Sequence, residues 1–476
     1  MVTKIGDRRS EKTIIRFSIM LHVVCAFLAL TTLSVAAEQD DAFQNLAESG
    51  SLLEDVDLRG SIATRYVIRS ARVSGDKYSD NDVFEYLRLD ATVPEDRKYE
   101  VHFFGTARQD IDGKNDRHDF FPLEDIGDAR DESSAVTLYD AHVAINSPVS
   151  HISQVRIGRQ AGTRDEPVFF DGVAVDTSVS KNIYFTAYGG EAVHFEELEY
   201  AWGDDTLAGA GVDISPTFNS VFSMDYLYIQ DEREIFGFDD QEDTLISLKV
   251  WQRFARFLSS MARFRYLNDD ARDIRVRAVG AFPDSGFEIS GGYFRQFGEE
   301  AERSIEESIY YDIVGTTSEF QSFDIKLRKF LGEHYAVDVG YYDRRLIDGG
   351  DESSFNRDYS RLYASFDVAD LLIRRLTLSL TGEYWKTGDS TYRSGGLEAT
   401  YVLKKRKRKG KLSAGTYYSL YKYDYYDERG ERDDVRTYYA RAVVPIGGHF
   451  SADGKYEYEN GNDDFHSFTL GMRYDF

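Results

Sequence analysis

Apolar and polar residues alternate along most of this chain, with the two-residue period of a β-strand. In the last segment, the apolar face carries Phe468, Leu470, Met472, Tyr474 and Phe476. The same period recurs from about residue 56 to the end of the chain, and many segments have about 10–12 residues. A strand of a soluble sheet usually has about 5–6 residues, whereas a tilted strand that crosses a membrane needs about 9–11.

The connectors between these segments alternate between short turns and longer, acidic loops. Short connectors include 147–151 and 331–334, and the longest loops are 111–134 and 298–318. Outer-membrane barrels show this asymmetry, and all seven prolines fall in connectors, as strand pairing requires. The pattern predicts an all-β fold, a single transmembrane antiparallel β-barrel of 22 strands. Two connectors, near 268–271 and 387–389, are short for outer loops, and loss of one or both hairpins would give 20 or 18 strands.

The first 37 residues are laid out like a secretory signal peptide. A basic start with Lys4, Arg8 and Arg9 precedes an apolar stretch that ends at small residues. We expect residues 1–37 to be removed, residues 38–55 to form a short periplasmic segment and residues 56–476 to form the barrel. An even strand number then places both termini in the periplasm of a Gram-negative bacterium, with the barrel in its outer membrane.

Charge and motifs exclude several function classes. The chain has 57 Lys and Arg against 83 Asp and Glu, a net charge of −26, which argues against a nucleic-acid partner. The only cysteine, Cys25, lies in the leader, so the mature chain has no thiol for a disulfide, a metal or a covalently attached haem. Neither G-x-S-x-G nor H-E-x-x-H occurs. We therefore predict a protein that is not an enzyme and has no metal site or cofactor of its own.

Basic residues alternate with apolar ones on several consecutive predicted strands, which places them together on the inner wall of the barrel. The candidate pore-lining residues are Arg156, Gln160, Lys249, Arg263, Arg265, Arg275, Arg277, Lys326 and Arg328. Because rings of Lys and Arg favour anions in pores, this wall predicts a preference for anions. The alternative is that these bases pair with inward carboxylates, such as Asp338, Asp367 and Glu383.

One segment resembles outer-membrane porins, including alginate-export and phosphate-porin relatives. It runs from Arg156-Ile157-Gly158-Arg159-Gln160 through Asp171-Gly172 to Tyr188-Gly189-Gly190. The resemblance covers about 35 residues and implies membership of the barrel class rather than a substrate. It also implies that Arg156, Gly158 and Gln160 face inward and that Gly158 makes room for a loop folded into the lumen. An ordinary strand with a glycine kink is the alternative.

Both ends of the predicted strands carry features that imply partners. The terminal strand with Tyr474 and Phe476 resembles the C-terminal signature of bacterial outer-membrane barrels, which implies recognition by the barrel assembly machinery. The basic run Lys404, Lys405, Arg406, Lys407, Arg408 and Lys409 falls in a predicted periplasmic turn. In that position the run has three possible roles. It binds anionic headgroups of membrane lipid, it binds an acidic partner, or it is solvated and binds neither. The acidic outer loops are expected to meet lipopolysaccharide.

Two functions fit these features. The first is a porin-like outer-membrane channel for small hydrophilic solutes, with a preference for anions, because a barrel of this size leaves an aqueous lumen. The second is a barrel sheath for transmembrane electron transfer, in which multihaem c-type cytochromes supply the haem, since no C-x-x-C-H motif occurs here. An importer with an N-terminal plug does not fit, because only about 18 mature residues precede the first predicted strand.

Overall fold

The described residues form one closed sheet in this computed structural model. It describes residues 56–73, 76–92, 98–111, 134–162, 164, 168–193, 205–231, 241–298, 319–347, 358–387, 390–405, 408–419, 422–423, 431–432, 435–461 and 464–476. The compact unit built from Leu58–Ala91 and Lys98–Phe476 is the barrel. The predicted signal peptide (1–37), the segment 38–55 and nearly all of the loops 111–134 and 298–318 lie outside the described residues.

Twenty-two strands make up the barrel, and each pairs antiparallel with its neighbours. They are β1 (Asp57–Val73), β2 (Asp76–Thr92), β3 (Tyr99–Asp110), β4 (Ser134–Asn146), β5 (Ile152–Ala161), β6 (Phe169–Ser180), β7 (Ile183–Ala192), β8 (Thr206–Thr217), β9 (Ser220–Asp231), β10 (Gln241–Ala255), β11 (Leu258–Leu267), β12 (Asp270–Phe282), β13 (Phe287–Gln296), β14 (Phe320–Leu331), β15 (Tyr335–Leu346), β16 (Tyr359–Ala369), β17 (Leu376–Thr387), β18 (Ser390–Lys405), β19 (Arg408–Ser419), β22 (Val435–Pro445), β23 (Phe450–Asn460) and β24 (Asp464–Asp475). A separate two-stranded hairpin, β20 (Lys422–Tyr423) with β21 (Glu431–Arg432), lies in the connector between β19 and β22.

Pairing of the first strand with the last closes the sheet. The register runs from Ser61↔Asp475 to Arg72↔Asp464 without a shift. The two short connectors that made the count uncertain are true hairpin turns. One consists of Asn268 and Asp269, which have φ of 50° and 69°, values that suit a tight hairpin and that Asn and Asp tolerate well. The predicted 22-stranded barrel is therefore confirmed, and the counts of 20 and 18 are wrong.

The two faces of the sheet differ as the alternation predicts. The face pointing away from the barrel axis carries large apolar side chains, and Leu380, Leu397, Leu470 and Met472 are each 50–60% exposed on it. A closed sheet leaves no unpaired edge, and an apolar exterior suits hydrocarbon. The fold is a transmembrane β-barrel. Among the described residues, no helix is both long and apolar enough to cross a membrane.

Some strand boundaries differ from the predicted ones. The predicted connector 71–81 is mostly strand, because inward Asp80 meets Arg69 on the neighbouring strand, with Nη1 2.7 Å from Oδ2. Strand β19 ends at Ser419, before the predicted end at 424. Placing every proline in a connector is also wrong. Pro216 lies inside β8 and Pro445 ends β22, both at strand ends, where a missing N–H costs little pairing.

Candidate functional site, the inner wall of the barrel

Three neighbouring strands bring predicted bases together on the inner face. In the register of β10, β11 and β12, Lys249 lies opposite Arg263, and Arg263 lies opposite Arg275. Arg265 and Arg277 extend this row in the two directions along the strands. Like charges that face each other across strands destabilise a sheet, so this arrangement needs either a compensating carboxylate or water.

One fully buried carboxylate partly compensates this group, which we call the basic patch (Lys249, Arg263, Arg265, Arg275, Arg277). Arg265 Nε donates to Asp273 Oδ2 at 2.7 Å, and Arg263 Nη2 lies 3.5 Å from Asp273 Oδ1. The Arg275 guanidinium lies 5.1 Å from the centre of the Phe294 ring, a cation–π distance. Arg277 is exposed on the inner wall. Arg253 on β10 shares the face of Lys249, and Asp270 pairs with inward Leu267. The inward positions of these three strands thus carry six bases against three carboxylates, Asp243, Asp270 and Asp273.

The bases on β14 are instead balanced by acids on the next two strands. Lys326 Nζ lies 3.6 Å from Asp338 Oδ1, and Arg328 Nη2 lies 3.5 Å from Asp367 Oδ2. Both carboxylates were proposed from the sequence as partners. The sequence left two alternatives for the bases, an anion-attracting wall and pairing with inward carboxylates. Each describes a different part of the wall. Positive charge is balanced at β14–β16 and is in excess at β10–β12.

Arg156 and Gln160 on β5 occupy inward positions but are almost completely buried. Arg156 Nη2 lies 3.6 Å from Asp176 Oδ2 on β6. Gln160 Nε2 donates to Gly158 O at 3.2 Å and to Gly172 O at 3.4 Å. These two side chains hold neighbouring strands together and do not face open lumen.

The glycines of the porin-like motif allow close strand packing. Gly158 has φ of +122°, and a Cβ there would come within 2.3 Å of Ala141 O on β4. The sequence predicts that Gly158 makes room for a loop. In the structure, the neighbour that requires a glycine here is strand β4. Gly172 pairs with both Gly158 and Gly190, so a row of three glycines crosses β5–β7. On the opposite face, Arg159 holds Asp171 through two hydrogen bonds of 2.9 and 2.6 Å.

Arg164, in the connector between β5 and β6, reaches two inward carboxylates, a contact that the sequence did not predict. Arg164 Nη1 donates to Asp213 Oδ2 on β8 at 2.9 Å, and its Nε donates to Asp225 Oδ1 on β9. The Arg164 and Asp225 side chains are each 10% exposed. Gly211 lies beneath the guanidinium, where a Cβ would collide with it. The residues around Arg164 do not predict this contact, because its partners lie 49 and 61 residues further along the chain.

An apolar cluster lies beside this connector on the inner wall. Its buried residues include Val168 from the connector and inward side chains of the barrel strands, namely Phe170, Tyr188, Leu207, Leu227, Ile229, Leu245 and Leu267. Most of these strand residues lie toward the end of the barrel that carries the longer connectors, although Leu267 borders the two-residue turn Asn268–Asp269. Because inward side chains are buried here, polypeptide rather than water covers this part of the wall.

A second charged cluster lies on β1–β3 and was also missed. Asp80, Asp82 and Asp110 have carboxylate oxygens within 4.8 Å of one another. Arg69 Nη1 lies 2.7 Å from Asp80 and 3.4 Å from Asp82, and Arg108 Nε lies 3.6 Å from Asp82. Arg69 and Arg108 form ion pairs with Asp80 and Asp82, and of these residues only Asp80 lies beyond the predicted strand ends.

The remaining candidates lie at strand ends. Phe476 exchanges two backbone hydrogen bonds of 3.0 Å with Gly60, and the Tyr474 ring packs 4.6 Å from Phe450. In the basic turn, the backbone pairs Lys404 with Lys409 and Lys405 with Arg408. The terminal strand therefore takes part in barrel closure. The basic residues lie at one hairpin, at the end of the barrel that carries the short connectors.

Comparisons with known proteins find distant structural similarity and no sequence match. No family model matches this chain, and no curated protein sequence matches it. Similar solved structures include the translocation pore of the P pilus usher PapC, with 10% identity, a TM-score of 0.46, and coverage of 87% of this chain and 99% of that one. OccAB4 of Acinetobacter baumannii has 8% identity, a TM-score of 0.44, and coverage of 89% and 99%. OccK8 (OprE) of Pseudomonas aeruginosa has 9% identity, a TM-score of 0.41, and coverage of 88% and 98%.

Proposed function

We propose that this protein is an outer-membrane channel that passes small hydrophilic solutes and favours anions. The observation that carries the proposal is the basic patch. Six inward bases, the five of the patch and Arg253, share three neighbouring strands with three inward carboxylates, and Lys249, Arg263 and Arg275 lie side by side in register. In a low-dielectric wall such an excess attracts anions and raises their local concentration.

The size of the barrel supports a water-filled interior. Barrels of about 16–18 strands leave an aqueous channel and 22-stranded ones enclose a wider lumen. Inward positions on β16 and β17 carry Ser365, Asp367, Thr381 and Glu383, side chains that water solvates well. Polypeptide covers the inner wall near the apolar cluster, so we expect the open path to run along the remaining strands.

The electron-conduit function ranks second because of the inward connector. Arg164, from the connector between β5 and β6, occupies space in front of β8 and β9, which a cytochrome inside the barrel would compete for. In this alternative, the same connector would have to move away from Asp213 and Asp225 before a partner could enter.

Purification from native membranes, followed by reconstitution into liposomes, tests both functions. A channel predicts swelling in isotonic solutions of small solutes, faster for anions such as gluconate than for cations of similar size. Protein without haem absorbance supports the channel. Co-purification of a multihaem cytochrome, together with liposomes that do not swell, would establish the sheath instead.

A further inference from the structure

Strands β18 and β19 separate part-way along the barrel wall. Their pairing runs from Leu397↔Thr416 to Lys405↔Arg408. Beyond that point, Ser390–Gly396 continues its pairing with β17, whereas Tyr417 pairs with Thr437 on β22. The separation opens a recess of about 390 Å³ in the wall. This volume falls in the range of about 300–1,000 Å³ typical of small-molecule sites.

Small inward residues keep this recess open. Thr381, Ser394, Gly396 and Gly415 occupy neighbouring inward positions on β17, β18 and β19. A Cβ on Gly396 would lie 2.8 Å from Thr416 O, and one on Gly415 would lie 2.9 Å from the Tyr439 hydroxyl. Glycine is thus needed at these two positions, because the neighbouring strand and the Tyr439 side chain approach the backbone closely at the edge of the recess.

Two carboxylates in the recess are held in place by protein donors. Glu383 accepts hydrogen bonds from Arg361, from Trp385 Nε1 at 3.0 Å and from Ser394 Oγ at 3.4 Å. Glu398 accepts from Thr400 Oγ1 at 2.9 Å and from the Tyr439 hydroxyl. An ionised carboxylate has about four acceptor sites. Each group thus keeps capacity for a further donor, in a fixed orientation.

Aromatic rings flank these carboxylates. The Arg361 guanidinium lies 5.0 Å from the Tyr363 ring centre and 4.9 Å from that of Trp385, so the two rings and the cation stack. On the other side, the Tyr417 and Tyr439 rings lie 5.9 Å apart. The recess thus presents flat apolar faces beside hydrogen-bonding groups, and its hydroxyls on Ser365, Ser394 and Thr381 both donate and accept.

The charge of the recess differs from that of the basic patch. Arg361 pairs with Glu383, and Asp367 lies 3.5 Å from Arg328. Glu398 adds a further negative charge, which Lys411 and Arg441 on β19 and β22 offset, so the recess is close to neutral. A ligand for this site has to donate hydrogen bonds to carboxylates and pack a non-polar face on tyrosines.

We propose that the recess binds a neutral polyhydroxylated solute of mono- or disaccharide size. Solute hydroxyls donate to Glu383 and Glu398, where bonds to an ionised acceptor are the stronger kind, and they exchange hydrogen bonds with Ser394 and Thr381. The C–H face of the solute packs against the tyrosine rings. The proposal rests on the proposed channel function, because the solute reaches the recess through the lumen.

Maltose titration of the ion current through a reconstituted single channel tests this site. We expect reversible, saturable interruptions, with apparent affinity lowered at least about fivefold in the Thr381→Val, Ser394→Ala double variant, which removes two hydrogen-bonding hydroxyls. Thr469→Val is the matched control, since Thr469 is also inward but lies on β24, outside the recess. A conducting channel without maltose interruptions overturns the proposal, as does an equal loss in the control. Interruption by lysine and not by maltose overturns it as well.

A channel that carries no current contradicts the proposed function but still allows the recess to be tested. In that case, maltose is titrated against the detergent-solubilised protein while the fluorescence of Trp385 is recorded, as the difference between the unmodified chain and Trp385→Phe. A saturable change that the double variant weakens supports the site. An unchanged signal at saturating maltose overturns it.

Discussion

Arg164, on the connector between β5 and β6, donates from Nη1 to Asp213 Oδ2 at 2.9 Å on β8, two strands beyond the connector. The same guanidinium contacts Asp225 on β9. These two contacts hold Arg164 against the inner wall. Because the guanidinium and Asp225 are largely shielded from water, the ion pairs are stronger than surface ones. We therefore expect Arg164 to influence how much of the lumen stays open.

Replacing Arg164 with Ala is expected to enlarge the pore and weaken the fold. The change leaves two carboxylates facing each other without their cation. Since Asp213 is partly exposed, we expect a loss of about 2–3 kcal/mol, below the 3–5 typical of fully buried pairs. Single-channel conductance and urea unfolding of the folded barrel measure the two effects. Adding Asp213→Asn and Asp225→Asn should restore stability and keep the larger conductance. Unchanged conductance in the single variant would show that the connector does not restrict the pore.

Arg265 and Arg277 provide a matched pair for separating stability from selectivity. Arg265 is buried and holds Asp273, which is fully buried, whereas Arg277 is exposed on the inner wall. Arg265→Gln should cost about 3–5 kcal/mol, because it leaves a buried charge with less compensation. Arg277→Gln should leave stability within about 0.5 kcal/mol and reduce the preference for anions. Urea unfolding and reversal potentials check both. Equal stability of the two variants would refute the role given to Asp273.

Gly158 offers a test of the porin-like motif. Because its φ is +122° and the Ala141 carbonyl lies where a Cβ would be placed, Gly158→Ala should strain β5 against β4. Such backbone strain costs about 1–3 kcal/mol, and the steric clash adds to it. The control is Gly382→Ala, since no atom lies within 4 Å of a Cβ at that position. The folded fraction, read from heat-modified migration in gels, should drop in the first variant alone. Equal migration of both variants would contradict the close packing.

Phe476 allows barrel closure to be separated from recognition by the assembly machinery. A Cβ on Gly60 would lie 2.6 Å from the Phe476 ring, so Gly60→Val displaces this ring from its place beside β1. Phe476→Ala should lower the amount of barrel in the outer membrane of cells. The same variant should still fold in detergent, since the paired hydrogen bonds to Gly60 come from the backbone. Normal cellular levels of the Phe476→Ala protein would rule out the terminal residue as an assembly signal.

The fold follows from the sequence to a large extent because alternation is a local property. Successive residues of a strand face opposite sides of the sheet. This alternation directs Leu470 and Met472 outward, and it directs Arg263 and Arg275 inward. In the porin-like motif, the sequence also placed Arg156 and Gln160 on the correct face. It did not show that they are buried, since this depends on what covers the wall.

Contacts between distant strands are the part that local patterns do not reveal. Arg164 meets Asp213 and Asp225 only because β6–β9 bring them together, and Asp273 is one acid among many until the register of β11 and β12 places it beside Arg265. The recess near Ser394 and Gly396 depends on where β18 leaves β19, which no residue spacing specifies. Charge balance on the wall is thus a tertiary property, although the positions of the charges are not.

The reversal potential of a single reconstituted channel in a KCl gradient tests the central claim most directly. An anion-favouring channel predicts a stable conductance and a reversal potential whose sign indicates selectivity for chloride. It also predicts a shift toward zero when Lys249, Arg263 and Arg275 are replaced together by Gln. A barrel that folds but carries no current, a cation-selective channel, or an anion selectivity that these substitutions leave unchanged would contradict it.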